Sequence, residues 1–497
     1  MQIEYKIADY KKIDCDQLVF PVFSDEPESS PLLRALNAAT GGLVKSALES
    51  KEFRPEMNNS FRFRNPRGLK ARSLLVVGAG KKAEFSPAGL RELAGVGVRV
   101  GKSAFCGTIA LMCRGVQSSG LAAQVASEGA LYADYESDLY KTRDKRDGKV
   151  SVLRLFFEGK ASGSAVKEGI RRGIVIGEAT NFARTLVNEP SNIMTPTIFA
   201  ERTLEAATEV GLDCRVMEQA EMGSLGMNAL LAVSRGSAQP PKMIILKTQA
   251  AARKGKDRKP LYALIGKGVT FDSGGISLKP AEKMEDMKGD MAGGAAVLGS
   301  MIALAKLNTR MPVMAMIPLV ENMPGGNATR PGDVVRSFLG KTIEIINTDA
   351  EGRLIMADAL SYARKLGAKR LLDVATLTGA CVVALGHVNA GMMGTDQKAM
   401  DLLRKNCSVT GEGLWQLPID DAYRKVLKSE IADVKNVGDR WGGAITAAKF
   451  LQEFTEKTPW VHLDIAGMDL DHDGRPFACK GSTGFGVRTI VKLMESL

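Results

Sequence analysis

Short apolar and β-branched runs alternate along this chain with longer stretches whose apolar positions recur at helical spacing. In the first 160 residues, 18–23, 73–78, 107–112 and 150–157 read as strands, and 89–103 and 120–140 as helices. Apolar strands separated by helices suit a sheet that is covered on both faces. A helical stretch over 164–187 must stop before Pro190, and Thr195-Pro196 has the form of a cap and first turn. Beyond it the alternation resumes on a larger scale. Strands are predicted at 229–234, 242–248, 261–271, 311–319, 341–347, 370–376 and 460–466. Helices are predicted at 197–210, 290–307, 353–366, 419–428, 443–456 and 484–495. The expected fold is α/β in two domains: a smaller N-terminal α/β domain over 1–160, a linking helix over 161–190, and a larger C-terminal α/β domain over 191–497 with a central, largely parallel or mixed sheet flanked by helices.

Length agrees with this division, since 497 residues exceed one ordinary core. Hydrophobic residues at 45% and charged residues at 25% are globular averages and argue against wholesale disorder. No apolar run approaches ~20 residues, so no membrane span is expected. The start, Met1-Gln-Ile-Glu-Tyr-Lys-Ile, lacks the basic and apolar regions of a signal peptide. Seven scattered cysteines without a C-x-x-C pair fit reduced thiols and a cytoplasmic location. The net charge of +11 permits acidic partners such as DNA. Residues 1–150 hold 23 basic against 18 acidic side chains and the rest 44 against 38, so the excess is spread thinly. The basic runs at 141–149 and 253–259 read as solvated loops. Gly101-Lys-Ser103 imitates the end of a phosphate-binding loop, but Val96 stands where that motif needs glycine.

The chemistry concentrates in Asn347-Thr-Asp-Ala-Glu-Gly-Arg353-Leu, between a predicted strand and a predicted helix. Asp349 and Glu351 are two residues apart, and an extended chain sends such neighbours to the same side. Gly352 permits a tight turn and Arg353 adds a fixed positive charge. Alone, an Asp-x-Glu is ordinarily a polar strand-to-helix loop. A second stretch, 264–279, changes that reading. There an apolar strand runs into a Gly-rich turn carrying Lys267, Asp272 and Lys279, with Asp290 at the start of the next helix. A phosphate cradle is the rival interpretation of the glycines. Four carboxylates at strand ends in one sheet, Asp272, Asp290, Asp349 and Glu351, would repel one another unless cations neutralised them. They suffice for two divalent ions and hydrolysis by an activated water. His387, His462 and His472 lack ligand spacing, which disfavours a histidine zinc site.

These residues resemble the M17 family of leucyl aminopeptidases, known in bacteria as PepA or cytosol aminopeptidase. The octapeptide 347–354 is the family signature and stands intact. Blocks at 187–192, 266–275, 321–327 with 330–333, and 373–379 agree with it, and the likeness is strong over about 185–490. The N-terminal domain is macro-domain-like by resemblance. The resemblance implies that Asp272 and Glu351 bridge two metal ions, Asp349 completes one site, and Lys267 and Asp290 complete the other. Mn²⁺ or Zn²⁺ are the expected ions, with Mg²⁺ or Co²⁺ as alternatives. Lys279 is implied to polarise the scissile carbonyl, and Arg353 to hold a bicarbonate that serves as general base. Met287, Asn347, Thr376, Leu377 and Ala466 are the implied substrate-binding residues. The family further implies broad release of leucine and other N-terminal residues from peptides, and a homo-hexamer. DNA binding beside peptidase activity and a two-metal phosphohydrolase are the competing expectations.

Overall fold

The computed structural model describes residues 1–6, 9–145, 148–157, 161–252 and 261–497. The basic run 253–259, and 146–147 within the run 141–149, lie outside the described residues. The chain divides into two compact units. One comprises Met1–Asn181 with Ser408–Gly411 and His472–Gly481; the other comprises Phe182–Cys407, Glu412–Asp471 and Ser482–Leu497.

The first unit is built on six strands: β1 (Gln2–Tyr5), β2 (Gln17–Val22), β3 (Ser60–Arg64), β4 (Ser73–Gly78), β5 (Thr108–Cys113) and β6 (Val152–Phe157). They lie in the order β1-β6-β5-β2-β4-β3, parallel except for β3 against β4. The fully apolar strands are explained by two cores, one on each face. Val19, Leu75 and Val77 pack beneath the helices Pro87–Ser103 and Ser119–Asp134. Their neighbours Leu18, Phe20, Leu74 and Val76 pack with Leu33, Leu36 and Val44 of the helices Pro31–Ala39 and Leu43–Glu49.

The second unit contributes β7 (Asp213–Glu218), β8 (Lys242–Lys247), β9 (Tyr262–Gly266), β10 (Gly268–Asp272), β11 (Val313–Asn322), β12 (Val334–Arg336), β13 (Thr342–Glu344), β14 (Arg370–Ala375), β15 (Ala390–Gly394), β16 (Leu414–Gln416), β17 (Val434–Lys435) and β18 (Trp460–Asp464). Its main sheet runs β16-β15-β18-β14-β9-β11-β8-β7, with β10 alongside β11. The centre, β18-β14-β9-β11, is parallel; β8 and β15 run antiparallel to their central neighbours. A mixed sheet flanked by helices is therefore the architecture.

Four expectations from sequence need correction. The 229–234 run is a helix, Asn228–Ser234, and not a strand. Its Ala-Leu-Leu-Ala composition favours helix, and it packs against the helix Gly352–Lys365, whose Asp358 accepts the Leu230 N–H at 2.9 Å. The 341–347 strand is only β13, and it belongs to a separate sheet, β12-β13-β17. The Asn436 side chain captures the Ile346 N–H at 2.8 Å, so the chain leaves its ladder there. The 261–271 strand breaks at Lys267, whose N–H goes to Val374 and whose carbonyl takes the Gly294 N–H. The chain thereby shifts from a place between β14 and β11 to one beside β11 alone. The 419–428 helix is a 3-10 segment, Asp421–Leu427. In the main sheet three strands were not foreseen: β7 is largely polar, and β15 and β16 are short and glycine- or tryptophan-bearing; β1, β3, β12 and β17 of the other sheets were not foreseen either.

Candidate active site

The break at Lys267 turns its side chain into the interior. Lys267 is only 3% exposed, and its Nζ lies 2.7 Å from Asp290 Oδ1, 2.8 Å from Glu351 Oε1 and 2.8 Å from the Thr376 carbonyl. Gly352 makes this path available, because a Cβ there would stand 2.7 Å from Lys267 Cε. Asp272 ends β10 beside Asn322 of β11. Its Oδ1 accepts from Gly274 N at 2.9 Å and Asn322 Nδ2 at 2.8 Å, while Oδ2 faces Lys279 Nζ at 2.7 Å. Lys279 comes round to this point through a turn in which Gly274 holds φ +90°, a left-handed conformation suited to glycine. Its Nζ reaches Asp349 Oδ1 at 2.5 Å.

Seven of the sequence-predicted residues thus form one charged cluster or border it. Lys267, Asp272, Asp290 and Glu351 are buried together; Lys279 joins Asp349 to them. Asp349 itself is about one-third exposed. Arg353, in the first turn of the Gly352–Lys365 helix, is buried and donates to the Asn436 carbonyl at 2.7 Å. Thr376 donates its hydroxyl to Asp290 Oδ1 at 2.7 Å. The Met287 carbonyl accepts the Asp290 N–H, and the Asn347 side chain accepts the Asp349 N–H at 2.8 Å. Leu377 and Ala466 donate backbone N–H groups to Asp464.

Burial and crowding pull the protons in opposite directions. Burial, reinforced by Glu351, pushes Asp272 up to about 6 against Lys279 and Lys267. Burial likewise raises Asp290 and Asp349. Burial would raise Glu351 too, but Lys267 and Lys279 outweigh it and hold this carboxyl below its ordinary value. Burial opposes the charge on Lys267, yet Asp290, Glu351 and Asp272 together raise its pKa. Burial, only partly offset by Glu351, Asp464 and Asp349, brings Arg353 down to about 10, which leaves it charged at neutral pH.

The donors fit divalent cations. One oxygen each from Asp272, Asp290 and Glu351 lies within 4.8 Å of the others, a spacing suited to hard cations with carboxylate ligands. Asp290 Oδ2 is buried with no hydrogen bond; Asp349 Oδ1 and Glu351 Oε1, though near ammonium groups, also lack one in hydrogen-bond geometry. Buried acceptors are ordinarily satisfied; Glu351 Oε1 and Asp349 Oδ1 meet Lys267 and Lys279 as ion pairs, which leaves Asp290 Oδ2 as the acceptor with an unused lone pair for a ligand. None of the three histidines belongs to this donor set.

Two residues escaped the sequence analysis as site builders. Asn322 donates to both Asp272 and the Thr348 carbonyl, joining the two halves of the site. Asn436 accepts from Ile346 and Asn347, donates to the Asn347 carbonyl, and offers its own carbonyl to Arg353. Asn322 lies inside the block 321–327, whose asparagine was a usable signal. Asn436 had none, standing about 90 residues from the loop it braces.

Comparison with known proteins identifies the family. Residues 181–491 match the cytosol aminopeptidase family catalytic domain, and 19–144 its N-terminal domain. A probable cytosol aminopeptidase of Solibacter usitatus is 45% identical over 493 residues, covering 99% of each chain. One from Acidobacterium capsulatum is 44% identical, covering 94% of this chain and 92% of its own. Among solved structures, a mutant of tomato leucine aminopeptidase superposes with a TM-score of 0.90 at 32% identity, covering 100% of this chain and 97% of its own. The bottromycin maturation enzyme BotP in complex with Mn gives 0.83 at 33% identity, covering 97% and 99%. The chain belongs to the cytosol aminopeptidase family, M17, and is a peptidase hydrolase.

Proposed function

We propose that this chain removes N-terminal residues from peptides with a free amine, using two divalent cations held by Lys267, Asp272, Asp290, Asp349 and Glu351. The observation that carries this reading is the buried carboxylate set of Asp272, Asp290 and Glu351, in which Asp290 Oδ2 has no hydrogen bond. When bound, the cations supply Lewis acidity towards the scissile carbonyl and an acidified water. Mn²⁺ is favoured by the Mn complex of BotP; Zn²⁺, Mg²⁺ and Co²⁺ suit the same donors.

The side chains supply the remaining work. Lys279, mostly buried between Asp272 and Asp349, keeps its ammonium and offsets negative charge on the carbonyl oxygen as the carbon becomes tetrahedral. Arg353 presents a planar fork whose Nε has no hydrogen bond, which suits an oxyanion such as bicarbonate. That oxyanion is the proposed general base, since none of the histidines reaches the cluster. Asp290, with one oxygen held by Thr376, orients the substrate amine. Met287, Asn347, Thr376, Leu377 and Ala466 surround the N-terminal side chain, and an apolar surround separates similar side chains by only ~1–3 kcal/mol, giving broad selectivity. A homo-hexamer in the cytoplasm is part of the same proposal.

The deciding experiment compares an unblocked leucyl amide with its N-acetylated twin, after chelation and resupply of Mn²⁺ or Zn²⁺. Metal-restored turnover of the free amine alone supports the reading. Turnover of phosphate esters instead would replace it with a phosphohydrolase, and no turnover by a folded, metal-loaded protein would remove the enzymatic reading. Salt-sensitive duplex binding that survives Glu351→Ala would establish a separate role on DNA.

A further inference from the structure

We propose that Asp464 is a positioning residue whose buried carboxylate ties the exits of β14 and β18 together and so sets where Thr376, Leu377 and Ala466 stand around the substrate's side chain. The inference rests on the aminopeptidase reading above. Asp464 closes β18 opposite Ala375, the last residue of β14, and is fully buried. The strand ladder stops there, its last rung being the Ile465 N–H on the Ala375 carbonyl at 2.9 Å. Past that rung the two loops have no sheet partner to hold them in register.

The carboxylate takes over. Oδ1 accepts from Leu377 N at 3.1 Å, Thr378 N at 3.4 Å and Ala466 N at 3.3 Å, and Oδ2 accepts from the Thr378 hydroxyl at 2.7 Å. Four donors from two loops therefore converge on one group. The Thr378 oxygen in turn accepts the Cys381 N–H at 3.1 Å and starts the helix Gly379–Leu385. One residue before Leu377, Thr376 gives its carbonyl to Lys267 and its hydroxyl to Asp290. A turn that drifts would move the side-chain surround and the contacts of two cluster residues at once. Small misplacements of this kind lower turnover by roughly a hundredfold.

The test uses the metal-loaded full chain with leucyl and alanyl amides. Asp464→Ala should lower kcat/KM for the leucyl amide by roughly ten- to a hundredfold, mainly through KM, and narrow the leucyl-to-alanyl ratio. Asp464→Asn keeps an oxygen for the three N–H donors and an amide that can face Thr378, so it should restore the ratio. Its kcat is free to differ, because the charge of Asp464 also faces Arg353. Amide exchange supplies a readout without catalysis: Leu377, Thr378 and Ala466 should lose protection in Asp464→Ala and regain it in Asp464→Asn. An unchanged ratio with unchanged protection would overturn the inference, as would equal losses on both amides that merely follow the folded fraction. If Asp464→Ala does not fold, Thr378→Val removes the hydroxyl bond to Asp464 together with the cap on the Cys381 N–H, and an unchanged ratio with unchanged protection at Leu377, Thr378 and Ala466 in that variant overturns the inference as well. A wild type inactive on both amides would instead refute the aminopeptidase reading, while exchange would still judge the tie.

Discussion

Two buried carboxylates on or near the same helix have opposite surroundings. Asp358, inside Gly352–Lys365, is fully buried, and both its oxygens are used: Leu230 N donates to Oδ2 at 2.9 Å and Phe338 N to Oδ1 at 2.7 Å. Glu351, just before that helix, is equally buried, but its Oε1 is met only by the Lys267 ammonium, beside Asp290, whose Oδ2 has no hydrogen bond. The first group closes its own account with backbone N–H donors and holds an unforeseen helix and a loop to a long one. The second group is charged, crowded and incompletely satisfied. Burial alone does not mark a site; burial with unused acceptors does.

The sharpest way to break the comparison is to truncate both groups. Glu351→Ala should lower leucyl amide turnover by at least about a thousandfold because a ligand is lost, while the chain still folds because Asp290 keeps its ion pair with Lys267. Activity and thermal unfolding on one preparation check both halves. Cation uptake offers the next largest effect. Lys267 is held as an ammonium by Asp290 and Glu351, and an amine donates only after losing its proton. Metal affinity should therefore rise about tenfold per pH unit for each proton released, and calorimetry in buffers of different ionisation heat should detect that release. No proton release would remove Lys267 from the ligand set.

Asp358→Ala should do the reverse of Glu351→Ala. Two N–H groups lose their acceptor, which costs about 2–4 kcal/mol of stability, while turnover per folded molecule stays near wild type. Denaturant unfolding beside active-site titration tests this, and a large loss of specific activity would erase the contrast. The smallest effect is a slope. Burial pushes Asp358 up to about 7, above its ordinary value, so the folded state holds this proton more tightly than the unfolded chain does. The associated stability is present at acid pH below the ordinary carboxyl range and is lost as pH rises through about 7. Asp358→Asn cannot titrate, so the Tm difference between wild type and variant should shift in the variant's favour between pH 5 and pH 8.

Legibility followed the range of the interactions involved. Strands β8, β9, β11, β14 and β18 were readable because burial on both faces writes a continuous apolar run. Thr195-Pro196 was readable because a cap is local: Thr195 accepts the Ile198 N–H at 3.3 Å. The Asn228–Ser234 helix was misread because a short apolar run has no period long enough to separate helix from strand. β13 was misplaced because nothing within 341–347 says which sheet will receive it.

By itself the sequence determined the chemistry on offer. It placed Lys267, Asp272, Lys279, Asp290, Asp349, Glu351 and Arg353 at segment boundaries, and its resemblance to one family named their roles. Tertiary structure alone decided which of these groups are buried together, which oxygens remain unused, and which distant residues brace them. Asn322, Asn436 and Asp464 act across 26 to 89 residues of chain. Such pairings depend on where strands end in space, and a hydrogen bond between chain-distant groups leaves no periodic trace in the residues on either side.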